Sequence, residues 1–157
     1  MFHRIGKNGK RYWGKRGAGI AYTDGKNILL LRRAGGDNQG TWGLPGGMVD
    51  EGETDLDAAI REAKEECGYH EGTKFDRVQF RDGAHIWTTF FYKIKNPFPC
   101  RLSHEHSEYQ WVPITEKLNL PLHPQLKKEW DTYLNRIQLR FGEGISFKEW
   151  LNDLSSQ

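Results

Sequence analysis

The stretch from Gly47 to Tyr69 constrains this chain more than any other part of it. A glycine turn, Pro45-Gly46-Gly47, leads through Asp50-Glu51-Gly52-Glu53 into a segment from Thr54 to Cys67 whose spacing predicts a helix. On that helix Glu62, Glu65 and Glu66 stand at i, i+3 and i+4 and share one side. Leu56, Ala59, Ile60, Ala63 and Cys67 make a second, apolar stripe. It lies about 120° from the acids at roughly 100° per residue. Like charges at this spacing weaken a helix, so something must offset the repulsion. A hard divalent cation with oxygen ligands fits that role.

The flanking residues agree with a helix of this extent. Thr54 is a suitable N-cap, Asp55 and Asp57 complement the positive helix end, and Gly68 suits a left-handed C-terminal stop. Upstream, Gly17 to Asp24 and Asn27 to Arg33 read as strands around an Asp24-Gly25 hairpin turn, followed by a glycine-rich polar loop from Ala34 to Gly40. Downstream, Phe75 to Arg81 and Ala84 to Ile94 read as strands joined at Asp82-Gly83, and Glu108 to Pro113 as another. A long helix is expected from Pro124 to Leu139, with Leu126, Trp130, Tyr133, Leu134 and Ile137 on one face. A shorter one is expected from Ser146 to Leu154, after the break at Gly142-Glu143-Gly144. This order describes one α+β domain.

The spacing itself carries a resemblance. Gly47, Glu53, Arg61-Glu62, Ala63, Glu65-Glu66, Gly68 and Tyr69 stand at the positions of the Nudix box. Ala63 is smaller than the bulky aliphatic usual there. The resemblance implies an α/β/α sandwich with a mixed β-sheet and C-terminal helices. It also implies Mg²⁺-dependent cleavage of a phosphoanhydride in a nucleoside diphosphate linked to another moiety, with Mn²⁺ able to substitute. Glu62, Glu65 and Glu66, joined by the Gly47 carbonyl, would be the metal ligands. Arg61 would anchor loop acids, Glu53 in particular, and Glu53 would orient the site or relay a proton.

Phosphoanhydride hydrolysis needs an activated water, neutralised phosphoryl oxygens and in-line positioning. Several acids could take the proton: Glu65 or Glu66 from the helix, or Glu105 in the polar run Ser103-His104-Glu105-His106-Ser107-Glu108. Glu105 is favoured, because in Nudix proteins a loop acid ahead of a Trp-containing strand often completes the metal site. His104 and His106, two apart and without supporting cysteines, are a weak zinc signal. Arg32 and Arg33, ending a strand before the glycine-rich loop, are candidates for phosphate contact. Trp42, Trp87 and Trp111 lie in expected strands, which makes core packing the default for each.

Charge and composition bound the rest. With 157 residues, 36% of them hydrophobic, the chain can bury a real core. No apolar run reaches the length of a membrane span or secretory segment, so a soluble cytoplasmic protein is expected. Cys67 and Cys100 read as free thiols. Residues 1 to 16 form an arm with six basic residues and no acid, while 17 to 157 form the domain and are net acidic. The arm is either a solvated terminus or, with Tyr12 and Trp13 interleaved, a grip for phosphates or RNA. Among substrates, (d)NTPs come first, followed by ADP-ribose or nucleotide sugars, then RNA 5′ ends. The proline that marks many ADP-ribose hydrolases beyond the box is replaced by Gly83-Ala84-His85-Ile86. A nucleotide-binding module without turnover would have lost box acids, and none is lost.

Overall fold

The computed structural model describes residues 3–5, 11–13, 15–68, 71–115 and 118–141. Nine strands and two helices are assigned among them. They run β1 (His3–Ile5), β2 (Arg11–Trp13), β3 (Lys15–Thr23), β4 (Asn27–Arg33), β5 (Trp42–Gly43) and β6 (Gly46–Met48), then α1 (Asp55–Cys67). After α1 come β7 (Thr73–Asp82), β8 (His85–Lys93), β9 (His106–Pro113) and α2 (Pro124–Phe141). The helix expected over Ser146 to Leu154 and the last box residue, Tyr69, lie outside the described residues. So do the basic side chains of the arm up to Lys15. In the arm itself β1 and β2 pair antiparallel. Among the described residues no helix is long and apolar enough to cross a membrane.

The sheet is mixed, and apolar on both faces. Ile28-Leu29-Leu30-Leu31 is continuous rather than alternating, as a strand covered on both sides should be. Leu29 and Leu31 join Ile20, Tyr22, Phe90 and Tyr92 beneath α1, against Ala58, Ala59, Ala63 and Cys67. Ile28 and Leu30 point the other way, with Ala21 and Phe91, onto Leu126, Trp130, Tyr133, Leu134 and Ile137 of α2. The result is the α/β/α sandwich that the box implied. Burying one such leucine contributes about 1.5–3 kcal/mol.

The turn at Asp24-Gly25 forms, with the Asp24 carboxylate accepting from the backbone of Lys26 and Asn27. The hairpin beyond it is short. β3 and β4 meet in register only at Thr23 and Ile28 and then part. β3 continues between β8, to which it runs parallel, and β6. β4 continues between β9 and β5. The sheet is therefore forked. A local turn signal could not reveal this, because each strand finds its partners far along the chain.

Both ends of α1 are built as its sequence demands. The Thr54 hydroxyl accepts from the Asp57 amide at 3.0 Å, and Gly68 closes the helix at φ 71°, where a side chain would be strained. Arg16, at the start of β3, ties this helix end to the sheet through a 2.6 Å bond to Asp55. α2 starts where the backbone of Trp42 accepts from His123 and donates to Pro121. That pairing fixes α2 beside the open end of the fork.

Candidate active site

A cavity of about 730 Å³ opens between the two branches of the fork. β6 and β8 supply one wall, the ends of β4 and β9 the other, and α1 and α2 close it from opposite faces. Its size is that of an ordinary small-molecule site.

At the α1 end lie two buried carboxylates, Glu62 at 3% exposure and Glu66 at 2%. They are hydrogen-bonded to each other, and the Gly46 amide donates to Glu66 at 3.3 Å. Burial, then the neighbouring Glu62, holds the Glu66 carboxyl well above the usual carboxylate range. Gly47 makes room for the pair. A Cβ there would fall 2.5 Å from the Glu62 carboxyl carbon.

Arg61 locks the loop before the helix. Its Nε and Nη2 donate to the two oxygens of Glu53 at 2.8 and 2.9 Å, its Nη2 also to the Met48 carbonyl, and its Nη1 to Glu62 at 2.8 Å. Glu53 accepts in addition from the Asp50 amide. Both Glu53 oxygens are thus engaged in holding the loop, and neither faces the cavity.

Glu105 lines the same cavity. Its carbonyl accepts from Ala34 at 2.9 Å, and its charge is felt by both Glu66 and His106. His106 begins β9 rather than ending the loop. Its Nδ1 is buried without a hydrogen-bond partner, 3.8 Å from Glu66. His104 also borders the space.

Two named residues fall elsewhere. Glu65 is 44% exposed, lies 3.5 Å from Arg61 and borders a shallow surface pocket instead. Of the arginine pair, Arg33 lines the cavity, whereas Arg32 donates to Ser107 at 3.3 Å outside it. A register shift between the two separates their directions. Trp42 is a core residue and Trp111 packs against the core. Trp87 is not. Its ring borders the cavity, contrary to the default for a strand tryptophan.

The residues suit a divalent cation. Two carboxylates share a buried position that charge repulsion alone would disfavour, a glycine cradle leaves space beside them, and an orphaned imidazole nitrogen faces the same pair. Among the described residues no three such side chains already converge on one point. Glu105 and the Gly47 carbonyl are the groups available to complete the set.

Beyond this cluster, the sequence reading missed His85, His123, Gln125, Glu129 and Tyr133 at the other end. One signal was available. Glu129 is buried along with Leu126, Trp130 and Tyr133 on the side of α2 that should be apolar, and Gln125 stands one turn before it.

One outer helix of the sandwich, α1, presents buried paired glutamates to a glycine turn, behind an arginine-clamped acidic loop. The family profile described as NUDIX domain matches residues 14–133, and the chain belongs to that family. It is 32% identical over 145 residues to "Putative 8-oxo-dGTP diphosphatase 3" of Mycobacterium tuberculosis, covering 80% of this chain and 65% of that protein. It is 31% identical over 124 residues to "Putative 8-oxo-dGTP diphosphatase" of Bacillus subtilis, covering 76% and 78%. Among solved structures, RenU, a Nudix hydrolase from M. smegmatis, superposes with a TM-score of 0.68 at 28% identity over 85% of this chain and 92% of that one. The chain thus spans slightly less than two thirds of that mycobacterial relative.

Proposed function

We propose that this chain hydrolyses a phosphoanhydride bond in a nucleoside diphosphate linked to another moiety, with (d)NTPs, split to the monophosphate and pyrophosphate, as the preferred class. The observation that carries the reading is the buried Glu62–Glu66 pair set against Gly47, with Glu105 and Arg33 on the same cavity. Similarity to proteins named diphosphatases for an oxidised nucleoside triphosphate supports the substrate order.

Glu62, Glu66, Glu105 and the Gly47 carbonyl would hold a divalent cation, Mg²⁺ or Mn²⁺. When bound, such an ion neutralises phosphoryl oxygens and acidifies water. The chain's own residues do the rest. Arg33, on the opposite wall, binds phosphate oxygens electrostatically. Glu105 accepts the proton of the attacking water as the new P–O bond forms and the bridging P–O bond breaks. Arg61 and Glu53 keep the glycine turn fixed, so that the carboxylates keep their placing.

The test is direct. Full-length protein with Mg²⁺ or Mn²⁺ is assayed on a panel of NTPs, dNTPs, ADP-ribose, nucleotide sugars and triphosphorylated RNA, reading release of phosphate, pyrophosphate and nucleoside monophosphate. Metal-dependent pyrophosphate release from (d)NTPs is expected. Silence across the panel with both metals would refute the reading.

A further inference from the structure

The far end of the cavity holds an arrangement that the phosphate chemistry does not use. Trp87 lies on three glycines. A Cβ at Gly17 would stand 2.5 Å from its Cε3, one at Gly19 2.7 Å from its Cζ2, and one at Gly46 3.0 Å from its Cη2. No side chain could intervene there, so one face of the indole rests on the backbone of β3 and β6. The ring also borders the cavity.

The ring is fixed within its plane as well. Its Nε1 donates to the Thr89 hydroxyl at 2.8 Å, and that hydroxyl is bonded to the Tyr133 hydroxyl at 2.7 Å. Tyr133, 2% exposed, is packed in turn against Phe80 and Phe91. Because the indole's one polar group is satisfied inside the protein, the ring presents π surface rather than a hydrogen-bond donor to the cavity.

One turn before Tyr133, Glu129 is 8% exposed within the apolar face of α2 and lines the same space. The amide of Gln125, a turn earlier still, donates to one of its oxygens. Burial holds the Glu129 carboxyl above the usual range. Core packing alone gives no reason for a carboxyl in this stripe, since burying it costs stability. A ligand with a polar edge does.

The two ends of the cavity are joined by consecutive residues. Gly47 lies against Glu62, and Gly46 lies against Trp87 while its amide donates to Glu66. One molecule can therefore reach both.

We propose that Trp87 is the stacking platform for the substrate's nucleobase, and that Glu129, set by Gln125, reads the base's polar edge. This deepens the function proposed above and rests on it for the phosphate end alone. Trp87 and Glu129 are then specificity determinants outside the box.

The experiment separates base binding from catalysis. Calorimetric titrations in metal-free buffer compare GMP, AMP, CMP and UMP with ribose 5-phosphate, which has no base. Stacking on one aromatic ring accounts for about 5- to 150-fold in affinity. Trp87→Leu, which retains apolar bulk without a π face, should weaken the mononucleotides by at least about 10-fold. It should leave ribose 5-phosphate unchanged, and Trp87→Phe should restore most of the loss. Glu129→Gln should alter the order of affinity among the four bases and leave ribose 5-phosphate alone. Thermal melts confirm that each variant is folded.

Wild-type affinity in Trp87→Leu, equal losses for the base-free ligand, or no mononucleotide binding by the wild type would each overturn the proposal. If the wild type binds mononucleotides through Trp87 but cleaves nothing in the substrate panel with either metal, the hydrolase reading falls and the platform stands. If instead (d)NTP turnover is the same in Trp87→Leu as in the wild type, the platform falls and the hydrolase reading stands.

Discussion

Gly47→Ala is the most discriminating single change, because its effect can be worked from distances. The added methyl would sit 2.5 Å from the Glu62 carboxyl carbon and 2.7 Å from both its oxygens, where ordinary contact begins at 3.4 Å. The carboxylate or the strand must therefore retreat by up to 0.9 Å. A surface glutamate would swing aside at little cost. Glu62 is buried, hydrogen-bonded to Glu66 and held by Arg61 at 2.8 Å, so its retreat disturbs all three. Overpacking of this kind costs about 1–3 kcal/mol of stability. The larger effect falls on function, since a displacement near 1 Å can cost about 100-fold in rate. Activity titrated with Mg²⁺, beside a urea melt, gives both quantities. A folded Gly47→Ala enzyme with wild-type metal dependence and turnover would mean that Glu62 does not work from this position.

Three further outcomes are expected. In Glu66 the folded state binds its proton more tightly than the unfolded chain does, so the stability this adds is complete at low pH. It is lost as pH climbs above about 4.3. Urea melts of metal-free protein should show that decline in the wild type and a flatter profile in Glu66→Gln. Glu105→Gln should lower kcat more than it raises KM in steady-state assays, whereas Glu108→Gln, outside the cavity, should do little. Asp55 is partly desolvated, yet the bonds from Arg16 and Thr88 pull its carboxyl below the ordinary range. Arg16→Ala should therefore lose stability at pH 7. Because Arg16 is half exposed, the loss should be about 0.2–1 kcal/mol, and the gap should close as pH falls through the depressed Asp55 value.

The elements were legible because their signals are local. The cap at Thr54, the stop at Gly68 and the doubly apolar run Ile28 to Leu31 each follow from neighbours in sequence. The acids of α1 were legible as a group but not in their separate settings. At 100° per residue Glu62 and Glu66 are about 40° apart, whereas Glu65 lies about 100° from Glu66. Only the first two can share one buried line, and Glu65 falls outside it. Arg32 and Arg33 could not be told apart because the bulge between them appears only when β9 pairs. Trp87 read as core because nothing local shows that three glycines from two other strands lie behind it. Glu129 was visible all along as a carboxyl in the wrong stripe of α2.

The forked sheet makes the mouth of the site a pair of calipers. β3 and β4 are joined at the Asp24 turn and touch in register only at Thr23 and Ile28, while the side chains that line the cavity sit at the far tips. From Ile28 to Arg33 the β4 arm is about 16 Å long at roughly 3.3 Å per residue, so one degree at the pivot moves Arg33 by about 0.3 Å. The gauge of the jaws is thus set at the opposite end of the molecule from the chemistry. Selection on the fit between enzyme and substrate can act on residues around Thr23 and Ile28 that no ligand ever meets.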